Sequence, residues 1–151
     1  MIINIFTDGS LIRKDNTVLC GYGIYFPNKE NKNISKKFTK TPITNNRAEL
    51  YSIYKSLKIC KKINKQHTIN QINIYSDSEY CVKTINIWHE KWILTNKEYK
   101  NKDLIDKIIK YKNLFNNTLN IIHIKSHTNK KDFLSIGNDN ADKLAKNGAL
   151  K

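Results

Sequence analysis

The chain has 151 residues, 39% of them hydrophobic and 26% charged, with 27 Lys and Arg against 13 Asp and Glu for a formal net charge of +14. Such a length fits one domain, expected over 1–151, that buries roughly 70% of its unfolded surface. No apolar run approaches the ~20 residues of a membrane span and no basic, then apolar leader opens the chain, so a soluble intracellular protein, cytoplasmic or nuclear, is expected.

Cys20, Cys60 and Cys81 are far apart and form no paired motif, which argues against a disulfide framework or a zinc site. The positive charge points to a polyanionic partner. It is carried almost entirely by Lys in a chain also rich in Asn and Ile, a bias that AT-rich codons would produce without any ligand. Charge alone therefore says nothing about chemistry.

Residues 2–7 read as a buried strand that stops in a turn-like Thr7-Asp8-Gly9-Ser10. Gly21 to Asn28 and Asn33 to Thr39 read as two further strands, a meander with the first. From about Asn46 to Lys62 the period changes, and Leu50, Ile53, Tyr54, Leu57 and Cys60 follow helical spacing. Gln71 to Asp77 is a fourth strand, again ending in an acid. Ser78 to Ile87 predicts a short helix and Leu104 to Phe115 a longer amphipathic one. Leu119 to His127 reads as a fifth strand. A last helix runs from about Asn138 to Gly148, with Ala141, Leu144, Ala145 and Gly148 along one stripe. The order β-β-β-α-β-α-α-β-α implies an α/β fold, a five-stranded mixed sheet with helices packed on both faces. In that layout strands one and four can lie side by side, bringing Asp8 near Asp77.

Two strand-terminal acids call for partners. Glu49 falls one turn into the first helix beside its apolar face, and Asp142 flanks the stripe of the last helix, with Asp139 a rival one turn earlier. Each helical acid also has a plainer reading, as a first-turn carboxylate favoured by the positive helix end. Taken together, "FTDGS", "TNNRAEL", "YSDSEY" and "SHTNKKDFLSIGNDNADKLA" resemble, in order and spacing, the four signature segments of type 1 ribonuclease H. The resemblance runs from about Ile2 to Ala149.

The resemblance implies an endonuclease that cuts the RNA strand of an RNA–DNA hybrid, without a separate hybrid-binding domain since Met1 almost begins the first strand. It implies a metal-binding carboxylate set of Asp8, Glu49, Asp77 and Asp142, with Asp139 outside it and His127 as a mobile histidine that shuttles protons or helps product leave. Four converging carboxylates repel one another and would be pushed to protonate without cations. Two Mg²⁺ ions, with Mn²⁺ a possible substitute, would neutralise them and keep waters for phosphate chemistry. In-line displacement with such ions yields 5′-phosphate and 3′-hydroxyl ends.

For the hybrid, the resemblance implies that Asn45 and Asn46 face its minor groove, that Thr44 and Asn101 form a phosphate pocket on the DNA strand, and that Tyr80 and Trp88 line a deoxyribose channel. Asn45 also reads as a helix cap, Tyr80 and Trp88 also read as core, Trp92 reads as structural, and Arg47 is given no role. Two departures stand out. The stretch "KWILTNKEYKNKDL" lacks the long basic protrusion of many relatives, so affinity is expected to lean on lysines such as Lys58, Lys61, Lys62 and Lys65. Glu79 adds an acid that should weaken phosphate binding unless it points away or meets a lysine. The competing readings are a non-catalytic basic nucleic-acid-binding module and another nuclease of the same fold, such as a junction resolvase. A monomer is the default.

Overall fold

A computed structural model describes residues 1–126 and 130–151. Strands β1 (Ile2–Lys14), β2 (Thr17–Tyr25), β3 (Ile34–Lys37), β4 (Gln71–Ser76) and β5 (Leu119–His123) form one sheet in the order β3-β2-β1-β4-β5. The first three pair antiparallel; β1 with β4 and β4 with β5 pair parallel. The expected mixed sheet and the β1–β4 adjacency are both present.

The helices are α1 (Asn45–Ile63), α2 (Glu79–Lys83), α3 (His89–Leu94), α4 (Lys102–Phe115) and α5 (Phe133–Ala149). A π-helical turn, Thr84–Trp88, joins α2 to α3, so the helix expected over 78–87 is longer and interrupted. On one face of the sheet Ile3, Ile5, Tyr22, Ile24, Ile72 and Ile74 pack with Leu50, Ile53 and Leu57 of α1 and Leu104, Ile105 and Ile108 of α4. On the other, Phe6 and Ile124 pack with Ala141 of α5. Helices therefore cover both faces, as the alternation of β1 requires.

Four expectations about boundaries are corrected. The first strand continues through Lys14 and returns into β2 through Asp15 and Asn16, both at positive φ (48° and 64°), the conformation that a two-residue hairpin favours. β2 accordingly lies earlier than Gly21 to Asn28 and ends at Tyr25. β5 stops at His123, where its partner β4 runs out at Ser76, and the Ile124 amide donates to the Ser76 carbonyl at 3.0 Å. α5 begins at Phe133 rather than near Asn138, because Asp132 caps it by accepting from the Ser135 amide at 2.8 Å. Asp139 and Asp142 therefore lie well inside the helix and not in its first turn.

Close approach of backbones positions the helices. A Cβ on Gly21 would lie 2.1 Å from the Ala149 amide nitrogen, and one on Gly23 would lie 2.5 Å from the Ala141 carbonyl oxygen. These two glycines let α5 seat its small residues directly on β2.

Candidate active site

Asp8 is not at the end of its strand, contrary to expectation. It sits in mid-strand opposite Gly23 of β2, one residue beyond the last parallel pair with β4, Thr7 with Ser76. The neighbouring strand has ended there, and the sheet edge opens beside Asp8. Since β4 stops at Ser76, Asp77 emerges at the same level. Gly9 explains the third acid: a Cβ at that position would lie 2.7 Å from the Glu49 amide nitrogen. The absence of that Cβ brings the first turn of α1 onto β1 and sets Glu49 over Asp8. Gly9 is thus required for contact between β1 and α1, and not for a turn.

The outcome is a tight acidic cluster in which one carboxylate oxygen from each of Asp8, Glu49 and Asp77 lies within 4.8 Å of the others. Asp8 and Glu49 are each 4% exposed, and the Gly9 amide donates to Asp8 Oδ1 at 2.9 Å. Burial, and then the charges of Asp77 and Asp142, push Asp8 up from 3.8 to about 7, against a lowering by its hydrogen bond with Glu49. Burial and the neighbouring Asp8 hold Glu49 well above the ordinary glutamate range. Glu49 Oε2 is buried with no hydrogen-bond partner. An all-oxygen donor set with an unpartnered buried oxygen and opposed charges suits a hard divalent cation.

Asp142 approaches Asp8 from α5 closely enough to raise its pKa, while its own carboxylate pairs with Lys146 at 2.9 Å. It borders the three-acid cluster without belonging to it. Asp139 is exposed. His127 lies outside the described residues.

Of the other expected residues, Thr44, Asn45, Asn46 and Asn101 fall at the N-terminal ends of α1 and α4, and Tyr80 and Trp88 on α2 and the π-helical turn after it. Thr44, and not Asn45, caps α1, its hydroxyl accepting from the Arg47 amide at 3.1 Å. Asn45 and Asn46 are exposed on the first turn. Asn101, at φ 62°, donates to the Tyr80 hydroxyl at 3.0 Å and accepts from Arg47 Nη1 at 3.4 Å. Tyr80 and Trp88 are half-buried, with ring centroids 6.5 Å apart. Trp92 stacks on Tyr99 at 5.2 Å, in keeping with a structural role. Glu79 is exposed and pairs with Lys83 one turn on.

Arg47 is the residue that sequence reasoning missed. Its guanidinium is 3% exposed, grips Asp103 in a two-pronged pair at 2.8 and 2.9 Å, and donates to the Thr41 carbonyl at 3.3 Å. This one side chain locks the start of α1 to the start of α4 and holds Asn101 in place. The only signal in the sequence was an arginine inside an otherwise apolar helix face, and its partner lies 56 residues away.

Residues 2–150 match the family model described as RNase H. The chain belongs to the ribonuclease H family. It is 34% identical over 152 residues to ribonuclease H of Orientia tsutsugamushi, a match covering 99% of this chain and 83% of that protein. It is 30% identical to ribonuclease H of Schizosaccharomyces pombe over 96% of this chain and 52% of that protein. The probable ribonuclease H of Acanthamoeba polyphaga mimivirus is 34% identical over 87% of this chain and 58% of that protein. The chain thus spans little more than half the length of the last two. Among solved structures, the PFV RNase H domain shares the fold at TM-score 0.76 and 22% identity, covering 98% of this chain and 94% of that one. LC11-RNase H1, solved in complex with RNA/DNA hybrid, does so at TM-score 0.66 and 22% identity, covering 98% and 96%. In ribonuclease H terms the acidic cluster lies where the parallel half of the sheet ends, between α1 and α5. Among the described residues no helix is long and apolar enough to cross a membrane.

Proposed function

We propose that this chain hydrolyses the RNA strand of RNA–DNA hybrids, leaving 5′-phosphate and 3′-hydroxyl ends. The observation that carries the reading is the convergence of Asp8, Glu49 and Asp77 within 4.8 Å, with Glu49 Oε2 unpartnered, in a chain matching the family over residues 2–150. Asp8, Glu49, Asp77 and Asp142 would hold two Mg²⁺ ions, with Mn²⁺ as a possible substitute. When bound, such cations supply Lewis-acid activation of an attacking water and stabilisation of the leaving 3′-oxygen.

The chain's own residues do the rest. Asp8 is fixed on its strand by the Gly9 amide, and Glu49 by the close contact of α1 with β1, so the donor oxygens are oriented before substrate arrives. Lys146 pairs with Asp142 and balances its charge. Thr44 and Asn101, joined through Arg47, receive a phosphate of the DNA strand. Tyr80 and Trp88 offer ring faces to deoxyribose, and the exposed Asn45 and Asn46 amides both donate to and accept from groups in the hybrid minor groove. His127, which follows β5 in the sequence, moves a proton or speeds product departure. Substitution of His127 by Ala is expected to slow turnover while leaving hybrid affinity unchanged, which single-turnover and steady-state rates separate.

The deciding experiment takes one 5′-labelled RNA strand annealed to DNA, annealed to RNA, or single, with wild type and Asp8→Asn, in Mg²⁺ or EDTA. Cutting of the hybrid alone, in Mg²⁺ alone, is expected, with Asp8→Asn slower by more than about 100-fold. Binding without cutting would replace this reading with a non-catalytic basic module, and cutting of a labelled four-way DNA junction run alongside, with the hybrid left intact, would make it a resolvase of the same fold.

A further inference from the structure

The exposed ridges of α1 and α4 frame a second feature that the acidic cluster does not use. Tyr54 and Lys61 of α1 face Lys107, Lys110, Tyr111 and Leu114 of α4 across an open groove of about 510 Å³, within the size range of ligand sites. It begins next to Tyr54, five residues beyond Glu49. From Tyr54 to Lys61 it leads away from the acidic cluster for about 10 Å at 1.5 Å per residue.

Its lining combines two kinds of side chain. Lys107 Nζ lies 5.3 Å over the Tyr54 ring. Tyr54 and Tyr111 have centroids 6.0 Å apart, and Tyr111 stacks on Phe115 at 6.4 Å. Tyr54 is backed in turn by Tyr51 at 5.8 Å. The two tyrosines are half-buried and held by the core, so they form a fixed platform. Leu114 is 59% exposed at its edge. No acid lines the groove, and among the described residues Lys61, Lys107 and Lys110 make no ion pair with a carboxylate.

We infer that this groove binds single-stranded nucleic acid, with bases stacked on Tyr54 and Tyr111 and phosphates met by Lys61, Lys107 and Lys110. Fixed aromatic faces interleaved with unpaired cations form the sequence-tolerant platform that single strands require. A duplex would hide its base faces, an acidic peptide would leave the rings unused, and a second copy of a chain charged +14 would be repelled. The groove is thus a nucleic-acid site separate from the acidic cluster, whose residues do not line it.

The test measures binding of fluorescein-labelled (dT)₁₂ to the full chain in EDTA, by anisotropy, so it does not depend on whether hybrids are cut. Lys107→Gln/Lys110→Gln is compared with Lys14→Gln/Lys32→Gln, which removes the same charge elsewhere on the surface. Tyr111→Leu keeps the apolar bulk and removes the ring face. The groove double variant is expected to weaken (dT)₁₂ binding by about tenfold more than the control pair, and Tyr111→Leu by at least about fivefold, with cleavage of a blunt hybrid unchanged in both. Equal losses from the two lysine pairs, or full affinity in Tyr111→Leu, would overturn the inference. A 12-residue poly-Glu peptide bound as tightly as (dT)₁₂ with the same lysine dependence would overturn it in favour of an acidic protein partner.

Discussion

Burial and mutual repulsion disfavour the charged forms of Asp8 and Glu49, so both keep their protons to higher pH than an exposed acid would. For Asp8 the folded state keeps its proton between pH 3.8 and about 7, while the unfolded chain gives it up near the ordinary value. The folded state binds more protons in that window, so its stability falls as pH rises through it. In EDTA the advantage in Tm of Asp8→Asn over wild type is therefore expected to grow from pH 4 to pH 7. Divalent cation should remove that advantage at pH 7 by stabilising wild type alone. An advantage independent of pH would show that Asp8 is not perturbed. Gly9 acts at the same scale. Gly9→Ala would put a methyl group 2.7 Å from the Glu49 amide nitrogen, and is expected to cost about 1–3 kcal/mol in urea unfolding. It should also lower cleavage more than hybrid binding, since Glu49 would be pushed off Asp8.

The elements are held to one another by a few specific contacts. Arg47 ties α1 to α4 through Asp103, whose carboxylate is 59% exposed and so largely screened. Asp103→Asn is expected to cost only about 1 kcal/mol of stability. It should raise KM for hybrid more than it lowers kcat, because the Arg47 guanidinium that steadies Asn101 loses its anchor. A fall in kcat alone would argue that the contact serves the acidic cluster instead. The β2–α5 contact is less forgiving. In Gly23→Ala the new Cβ would meet backbone on both sides, the Ala141 carbonyl oxygen at 2.5 Å and the Ala145 amide nitrogen at 2.6 Å. Neither can rotate away, so α5 must lift, at a cost of about 3 kcal/mol or more, and Asp142 would leave Asp8 with it. A urea midpoint unchanged from wild type would show that α5 is not seated on this strand. The π-helical turn between α2 and α3, Thr84–Trp88, ends at Trp88 and redirects the helix beyond Tyr80; such turns recur at functional sites.

The whole molecule carries an excess of lysine that is crowded in places. Burial, then the neighbouring charges of Lys58, Lys36 and Lys40, pushes Lys55 below the usual lysine range. A surface so charged binds a nucleic-acid backbone largely by releasing its counterions. Affinity of the Asp8→Asn protein for hybrid is expected to fall about 100-fold between 50 and 200 mM salt, as about four phosphate contacts would require. A loss of only a few-fold would mean that the lysines are not the main source of affinity. The feared effect of Glu79 is muted at this scale, because Lys83 answers its charge.

Much of this protein was legible in its residues alone. Alternation and helical period located every strand, and every helix but α3, approximately, since each reflects which neighbours along the chain must face a core. The acids Asp8 and Asp77 stood out after apolar strands, and the resemblance to type 1 ribonuclease H implied Glu49 and Asp142 as their partners. Boundaries were less legible: the Asp15-Asn16 turn lies in a stretch with no strong alternation, and the exposed Phe133, Leu134 and Ile136 disguised the start of α5. What the tertiary structure alone decided is which residues meet. The parallel register of β1 with β4 ends beside Asp8, Gly9 admits α1, and Arg47 finds Asp103. Each of these depends on the distance and register between segments far apart in the chain, where local pattern carries no information and packing makes the choice.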